Sequence, residues 1–262
     1  MPGVRVELLG TGSGDGWPNP WCGCDSCAWA RTEPRHQTSA LVDGSLLVDA
    51  GTALHGGVSL RGVRTVLFTH AHPDHADPQL LLWRQAAMAA GAPVAPLEIA
   101  GPPAALDLCR HWVDPAEPVT WTPLRAGDKA DLASGHAVEA LAANHWAGFD
   151  GVGPALLYVL DGRVLIGWDT AAPLPPACRS QKFDLVLLDC NDGDRPASDH
   201  HHTLADFAST VDDLRAYGAV GPGTRVVAVS LGHANPPGPD LRRRLAACHA
   251  EPGHDGQTIH LP

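Results

Sequence analysis

Basic charge is scarce in this sequence: 18 Lys and Arg stand against 29 Asp and Glu in 262 residues, a formal net charge of -11. No basic stripe exists to track a phosphate backbone, so a nucleic-acid partner is excluded and a small substrate is favoured. Divalent cations would offset the acidity locally, which keeps a small anionic ligand compatible with this balance. Long apolar runs are lacking as well. No segment reaches the roughly 20 residues that cross a bilayer, and the first ten residues run into an alternating strand without a signal-peptide pattern. The expectation is a cytoplasmic protein with no membrane partner. Repeats and linkers are also missing, and the length suits one large domain over 1–262.

A paired cysteine framework is absent too. Seven cysteines is an odd number, and three crowd into Cys22-Gly23-Cys24-Asp25-Ser26-Cys27, a spacing that wraps a metal better than it pairs disulfides. Cys109, Cys178, Cys190 and Cys248 are scattered and read as reduced, mostly buried thiols.

What the sequence does have is short apolar runs punctuated by Gly, Pro and Asp. Val4 to Leu9, Ala40 to Val42, Ser45 to Val48, Val63 to Phe68, Val138 to Ala142, Ala155 to Leu160, Val164 to Gly167, Leu185 to Leu188 and Val226 to Val229 read as strands. Pro78 to Ala90, Pro103 to Trp112, Thr203 to Tyr217 and Pro239 to His249 read as helices. Early strands pair through Asp43-Gly44 and Asp161-Gly162, and later ones alternate with helices, which predicts mixed sheets covered by helices in an α/β architecture.

The apolar strand ending at Thr69 is followed by His70-Ala71-His72-Pro73-Asp74-His75. This strand-to-helix loop is where rigid elements commonly display chemistry. His70 and His72 can point one way and Asp74 and His75 toward a second point, an arrangement suited to two adjacent ions. Imidazole and carboxylate donors fit Zn, Mn or Fe. His145 follows the strand Val138 to Ala142, and Asp169 follows Val164 to Trp168, each at a strand end.

These residues, preceded by Leu47-Val48-Asp49-Ala50-Gly51, resemble the metallo-β-lactamase superfamily over nearly the whole chain. The resemblance implies a four-layer αββα sandwich. It places His70, His72 and His145 on a first metal, Asp74 and His75 on a second, and Asp169 between them. Asp49 would orient the loop from behind.

Structural zinc takes four ligands, so Cys22, Cys24 and Cys27 require one more. The triplet, after a strand ending Leu9-Gly10-Thr11-Gly12, is similar to the cyclic-phosphate phosphodiesterases of carbon-phosphorus lyase pathways, which implies His233 as the fourth ligand of a zinc loop inserted at about residues 12–34. The pyrroloquinoline quinone biosynthesis protein B shares the triplet but has a degraded His motif. Leu81-Leu82-Trp83-Arg84 and Leu231-Gly232-His233-Ala234-Asn235-Pro236 also resemble the lactamase-like domain joined to actinobacterial adenosylcobinamide kinase. One departure stands out. The phosphodiesterase pattern has a last catalytic His three residues before the zinc His, and this chain has Ser230 there. A neutral hydroxyl is a weak ligand, which predicts a weakly occupied second position.

The expected cofactors are one structural zinc and one or two catalytic divalent ions. The expected reaction is hydrolysis of a small cyclic or diester phosphate by metal-activated water. By the resemblance, His201 of His200-His201-His202 is the proton donor to the leaving group, with Asp74 acting at the metal centre. Arg35 and His36, in the segment after the zinc loop, could reach a substrate anion, although exposed Arg residues are usually just solvated, and no constellation surrounds His55, His111, His136, His249, His254 or His260. Two alternatives are a metal-dependent enzyme of cofactor or natural-product biosynthesis with a non-phosphate substrate, and a weakly catalytic corrinoid-binding module. The expected partners are a small anionic molecule and at most a second copy of the chain as a homodimer.

Overall fold

The computed structural model describes residues 3–115, 117–145 and 153–262, apart from the side chains of 55 and 56. Its first strands are β1 (Val4–Gly10), β2 (Ser39–Val42), β3 (Leu46–Val48), β4 (Thr65–Leu67), β5 (Leu97–Gly101) and β6 (Val119–Pro123). A second set follows: β7 (Lys129–Asp131), β8 (Ala137–Ala142), β9 (Leu156–Leu160), β10 (Val164–Gly167), β11 (Leu185–Asp189), β12 (Arg225–Val229) and β13 (Glu251–Pro252). The chain then returns as β14 (Gln257–Leu261) to the outer side of β1, giving two seven-stranded sheets, β14-β1-β2-β3-β4-β5-β6 and β13-β12-β11-β10-β9-β8-β7.

The two sheets share one logic. Each begins with antiparallel pairs and becomes parallel, from β3 to β6 in one and from β10 to β13 in the other. The antiparallel joins use the expected turns. Asp43-Gly44 and Asp161-Gly162 have φ of 50° and 69°, and 51° and 67°, the left-handed pairs that a two-residue hairpin requires. His136 ties these turns together at one end of the sandwich, its Nδ1 2.8 Å from Asp161 Oδ2 and its Nε2 3.7 Å from Asp43 Oδ2. That is the constellation its sequence surroundings did not suggest.

The strands read as unbroken apolar runs because both faces are covered. Leu156, Tyr158 and Leu160 of β9 pack between the sheets with Val6, Leu8, Leu46 and Val48, while Leu157 and Val159 face outward. Helices cover the outer faces. Helix α1 (Asp25–Ala30) follows β1, α2 (Gln79–Ala89) and α3 (Pro103–Arg110) lie over the first sheet, and α4 (Leu204–Ala216) and α5 (Gly238–Ala247) lie over the second. The architecture is the four-layer αββα sandwich. Cys109, Cys178 and Cys190 are buried and unpaired, and Cys248 is half-buried.

Several elements were not expected from the sequence. Strands β5, β6, β7, β13 and β14 and helix α1 are among them. Strand β6 is only partly covered and β7 largely exposed, so their patterns carry little apolar signal. Helix α4 begins as read, with Thr203 at its N-cap in a reciprocal capping box with Asp206.

Candidate metal centre

Parallel strands of both sheets end on one edge, and the predicted polar residues collect there. Asp49 follows β3, Asp169 lies just past β10 and Ser230 follows β12, with φ of 58°, 53° and 53°. A left-handed residue at a strand end reverses the chain at once and aims the side chain back across the edge. Strained backbone of this kind concentrates at functional sites.

The His70–His75 loop leaves β4 through Phe68 and Thr69. Asp49, fully buried, accepts the Thr69 amide at 2.8 Å on Oδ1. Its Oδ2 accepts the Thr69 hydroxyl at 2.7 Å, the Trp168 indole at 2.7 Å and His75 Nδ1 at 2.8 Å. The Thr69 hydroxyl, donating to Asp49, accepts from His70 Nδ1 at 2.9 Å. His145 Nδ1 donates to the His200 carbonyl at 2.9 Å. In three imidazoles one nitrogen is thereby occupied and the other points inward, that of His70 and of His145 as a lone pair and that of His75 as a donor to carboxylates.

The inward atoms form two clusters. His70 Nε2 lies 2.9 Å from His72 Nδ1, and His145 Nε2 lies 3.2 Å from the same atom. Tetrahedral ligation at 2.0–2.1 Å would set nitrogens about 3.3 Å apart, so these three converge as donors to one ion would. Next to them, His75 Nε2 is 3.0 Å from Asp74 Oδ2 and 3.1 Å from Asp169 Oδ2. That Asp169 oxygen is also 3.8 Å from His70 Nε2 and 3.9 Å from His145 Nε2 and lies between the clusters.

Electrostatics agree with cation binding. Burial, reinforced by His75, holds His70 well below the usual imidazole value, which keeps its lone pair available. Burial would raise Asp169, but His75 overcomes it and holds the carboxyl well below its ordinary value. His75 is the converse case. Burial alone would depress it, and Asp169, Asp74 and Asp49 together raise it well above an ordinary imidazole. Neutral His70 and His145 beside ionised, buried oxygens are a donor set that fits a divalent cation, and the proton on His75 is held by the carboxylates whose charge such a cation would offset in its place.

Ser230 occupies the place anticipated for it and has a defined partner. Its Oγ donates to Asp169 Oδ1 at 2.8 Å, while its own amide donates to Thr38 Oγ1 at 3.1 Å. The three consecutive histidines diverge. His201 Nδ1 is 2.8 Å from Asp189 Oδ2, and the ring comes within 4.8 Å of the inward atoms of His145 and Asp169. His202 is buried between the Thr170 carbonyl at 2.5 Å and Thr210 Oγ1 at 3.0 Å. His200 lends its carbonyl to His145 and lines the cleft. Burial opposes protonation of His201, but Asp189 prevails and raises it to about 9.

The structure also brings the cysteine triplet and His233 together, away from the His/Asp clusters. Donor atoms of Cys22, Cys24, Cys27 and His233 all lie within 4.8 Å of one another. Cys24 caps α1, its sulfur accepting the Cys27 amide at 3.4 Å. That amide lowers Cys24 to about 6, whereas burial pushes Cys27 up to about 11. A cation is what would draw the thiolate from Cys27, so this donor set also fits a metal.

These geometries meet a sequence match. The pattern of the beta-lactamase superfamily domain matches residues 45–228. The chain belongs to that superfamily. It is a metal-dependent hydrolase by this membership, and its His/Asp clusters suit divalent ions. No curated protein matches the sequence. The superfamily fold is similar to that of a diphosphatase from the PhnP family (TM-score 0.78, 20% identity, 99% of this chain and 98% of that one). It is also similar to Zn(2+)-bound PqqB from Methylobacterium extorquens (TM-score 0.71, 19% identity, 97% and 99%). The metallo-beta-lactamase fold protein YhfI from Bacillus subtilis is a third (TM-score 0.72, 16% identity, 99% and 100%). Among the described residues no helix is long and apolar enough to cross a membrane.

Two sequence expectations around the superfamily site are corrected. Arg35 does not face the cleft: its guanidinium donates to Thr11 Oγ1 at 2.6 Å and to the Gly253 carbonyl, and stacks over Trp17. His36 is exposed beside it, its amide on Asp255. Residues that sequence reasoning passed over include Asp189, Thr69, Gly14 and Arg195. Asp189 carried a readable signal, since it ends an apolar strand as Asp49 and Asp169 do.

Proposed function

We propose that this hydrolase is a phosphodiesterase acting on a small cyclic or diester phosphate. In this reading His70, His72 and His145 hold one divalent ion, Asp74 and His75 hold a second, and Asp169 is shared. Zn, Mn and Fe all suit these donors, and Cys22, Cys24, Cys27 and His233 hold a structural zinc. A bound divalent ion supplies Lewis acidity, making water acidic near neutral pH and offsetting charge on phosphoryl oxygens.

The observation that carries the reading is His201. A phosphodiester releases an alkoxide, which needs a proton from a group that keeps one at neutral pH. His201 does so because Asp189 holds Nδ1 and stabilises the imidazolium, leaving the other nitrogen toward the cleft. The cleft also exposes Asp74, His72, His145 and Asp169, which places the proton source beside the candidate ligands.

Turnover of bis-p-nitrophenyl phosphate with added Mn, Zn or Fe tests this. We expect turnover that follows added metal and disappears in Asp74→Ala; His201→Ala, with metal content retained, should lose cleavage of a diester with an alkyl leaving group, which needs the proton, while sparing release of p-nitrophenolate, which does not. Tight metal binding without turnover of any phosphodiester would overturn the reading in favour of a non-phosphate substrate or a binding module.

A further inference from the structure

A second cavity lies on the outer face of the first sheet, and its lining shares no residue with the strand-end cleft. Leu47, Val66 and Leu97 of β3, β4 and β5 form its floor, and Leu80, Trp83 and Ala87 of α2 form its roof. Leu80, Trp83, Arg84 and Ala87 are spaced i, i+3, i+4 and i+7, so they share one helix face. In a closely packed layer that face would rest on the sheet. Here it stands over a volume of about 240 Å³, and of the whole helix only Leu80 and Leu81 are buried. The Leu81-Leu82-Trp83-Arg84 segment thereby has a place in the fold that the metal chemistry does not give it.

The charges at this cavity have one sign. Its lining comprises eleven apolar residues and two arginines, with no carboxylate, in a chain whose acidic residues outnumber basic ones 29 to 18. The two arginines differ. Arg84 is 11% exposed and committed: it pairs with the buried Glu117 carboxylate, and its Nη2 donates to the Ala95 carbonyl at 2.9 Å. Arg61, exposed at the mouth in the segment before β4, has no ion pair or side-chain hydrogen bond among the described residues. An apolar space with one uncommitted guanidinium at its entrance selects an apolar molecule that ends in an anion, and a guanidinium takes a carboxylate on two parallel N–H donors.

Volume sets the size of that molecule. A cavity of about 150 Å³ holds benzene, roughly 25 Å³ per carbon, so about 240 Å³ holds about nine or ten carbons. We infer that this cavity is a second ligand site, for a carboxylate of about that size whose apolar part lies between α2 and the sheet and whose anion pairs with Arg61. A flexible chain and a flat ring both supply this chemistry. The site involves no metal and stands independently of the phosphodiesterase reading.

Titration calorimetry on the full chain tests it, with nonanoate as the chain probe, 2-naphthoate as the ring probe, and butanoate and nonan-1-ol as controls. Nonanoate should bind at one site per chain, at least about a hundredfold more tightly than butanoate, which buries five fewer methylenes. If 2-naphthoate binds more tightly than nonanoate, the ring is the better fit and the variants are titrated with it. Arg61→Ala should weaken the acid about three- to tenfold, the loss of a partly exposed charge-assisted contact, and leave nonan-1-ol unchanged. Ala87→Phe puts a ring into the space and should abolish binding of acid and alcohol alike while the melting temperature stays at or above that of the wild type. Ala95→Phe fills the cavity from another wall and decides the matter if the helix variant fails to fold. Saturable binding of neither acid overturns the inference, as does acid binding that is unchanged in Arg61→Ala or that survives a folded cavity-filling variant.

Discussion

Asp49→Asn tests how far the centre depends on one buried carboxylate. Four donors converge on Asp49: the Thr69 amide on Oδ1, and the Thr69 hydroxyl, the Trp168 indole and His75 Nδ1 on Oδ2, all within 2.7–2.8 Å. Asparagine offers one acceptor oxygen and one NH2 group. With its oxygen at the Oδ2 position it keeps three donors and turns its NH2 against the Thr69 N–H; the other orientation sacrifices three. The better orientation still strands one buried N–H and removes the charge from the remaining bonds, together about 2–4 kcal/mol. At 2–4 °C per kcal/mol for a chain of this size, the melting temperature should fall by about 4–16 °C. His75 also loses the charged partner that orients it, so affinity at the Asp74–His75 position should fall about 10–100-fold. Scanning calorimetry on chelator-treated protein isolates the first effect, and competition against a metal indicator measures the second. A variant that melts within about 1 °C of wild type and keeps its affinity would refute the role given to Asp49.

Three further outcomes follow from single observations. A methyl at Gly14 would lie 2.4 Å from Asp74 Oδ2 and 2.7 Å from its Cγ, so Gly14→Ala should displace Asp74 and lower metal stoichiometry by elemental analysis. His201 has a folded value of about 9 against an unfolded value of about 6.5, so its protonated form contributes fully below 6.5 and is lost as pH rises through about 9. The pH profile of kcat for a diester with an alkyl leaving group should therefore fall on an alkaline limb, and His201→Gln should remove that limb. Ser230→His should add a tightly held divalent ion, since His tolerates the φ of 53° better than most residues; a wild type already holding two tight catalytic ions plus zinc would show the Ser230 argument to be wrong.

Much of this centre was legible because its donors are contiguous or end apolar strands. His70 to His75 can be read as a cluster without a fold, and His145 and Asp169 each follow a recognisable run. The hairpin turns were legible for a similar reason, since Asp-Gly fits the left-handed pair. What escaped were residues acting through distance. Asp189 meets His201 from 12 positions away and Gly14 approaches Asp74 across 60, so neither pairing leaves a local pattern. Arg35 misled because a cation after the thiol loop reads as an anion contact, whereas folding stacks it on Trp17 beside Gly253. Strands β6 and β7 were missed because their exposed faces dilute the apolar alternation that marks a strand.

The Ser230 hydroxyl changes what Asp169 can offer. With Oδ1 accepting from Ser230, Oδ2 is the oxygen that faces His75, His70 and His145. In the proposed assignment both ions would then compete for electron density on a single atom. The position with three imidazoles has enough other donors to tolerate that sharing, while the one with Asp74 and His75 does not. Filling the first position should therefore weaken the second through their common oxygen, beyond the simple loss of a seventh ligand. Ser230→Ala separates the two effects, since it removes the hydroxyl from Oδ1 without adding a donor. If sharing of Oδ2 is what limits the second position, Ser230→Ala frees Oδ1 and should raise second-ion affinity measured with the first position filled. If the missing imidazole alone is responsible, Ser230→Ala should leave it no better and only Ser230→His should improve it.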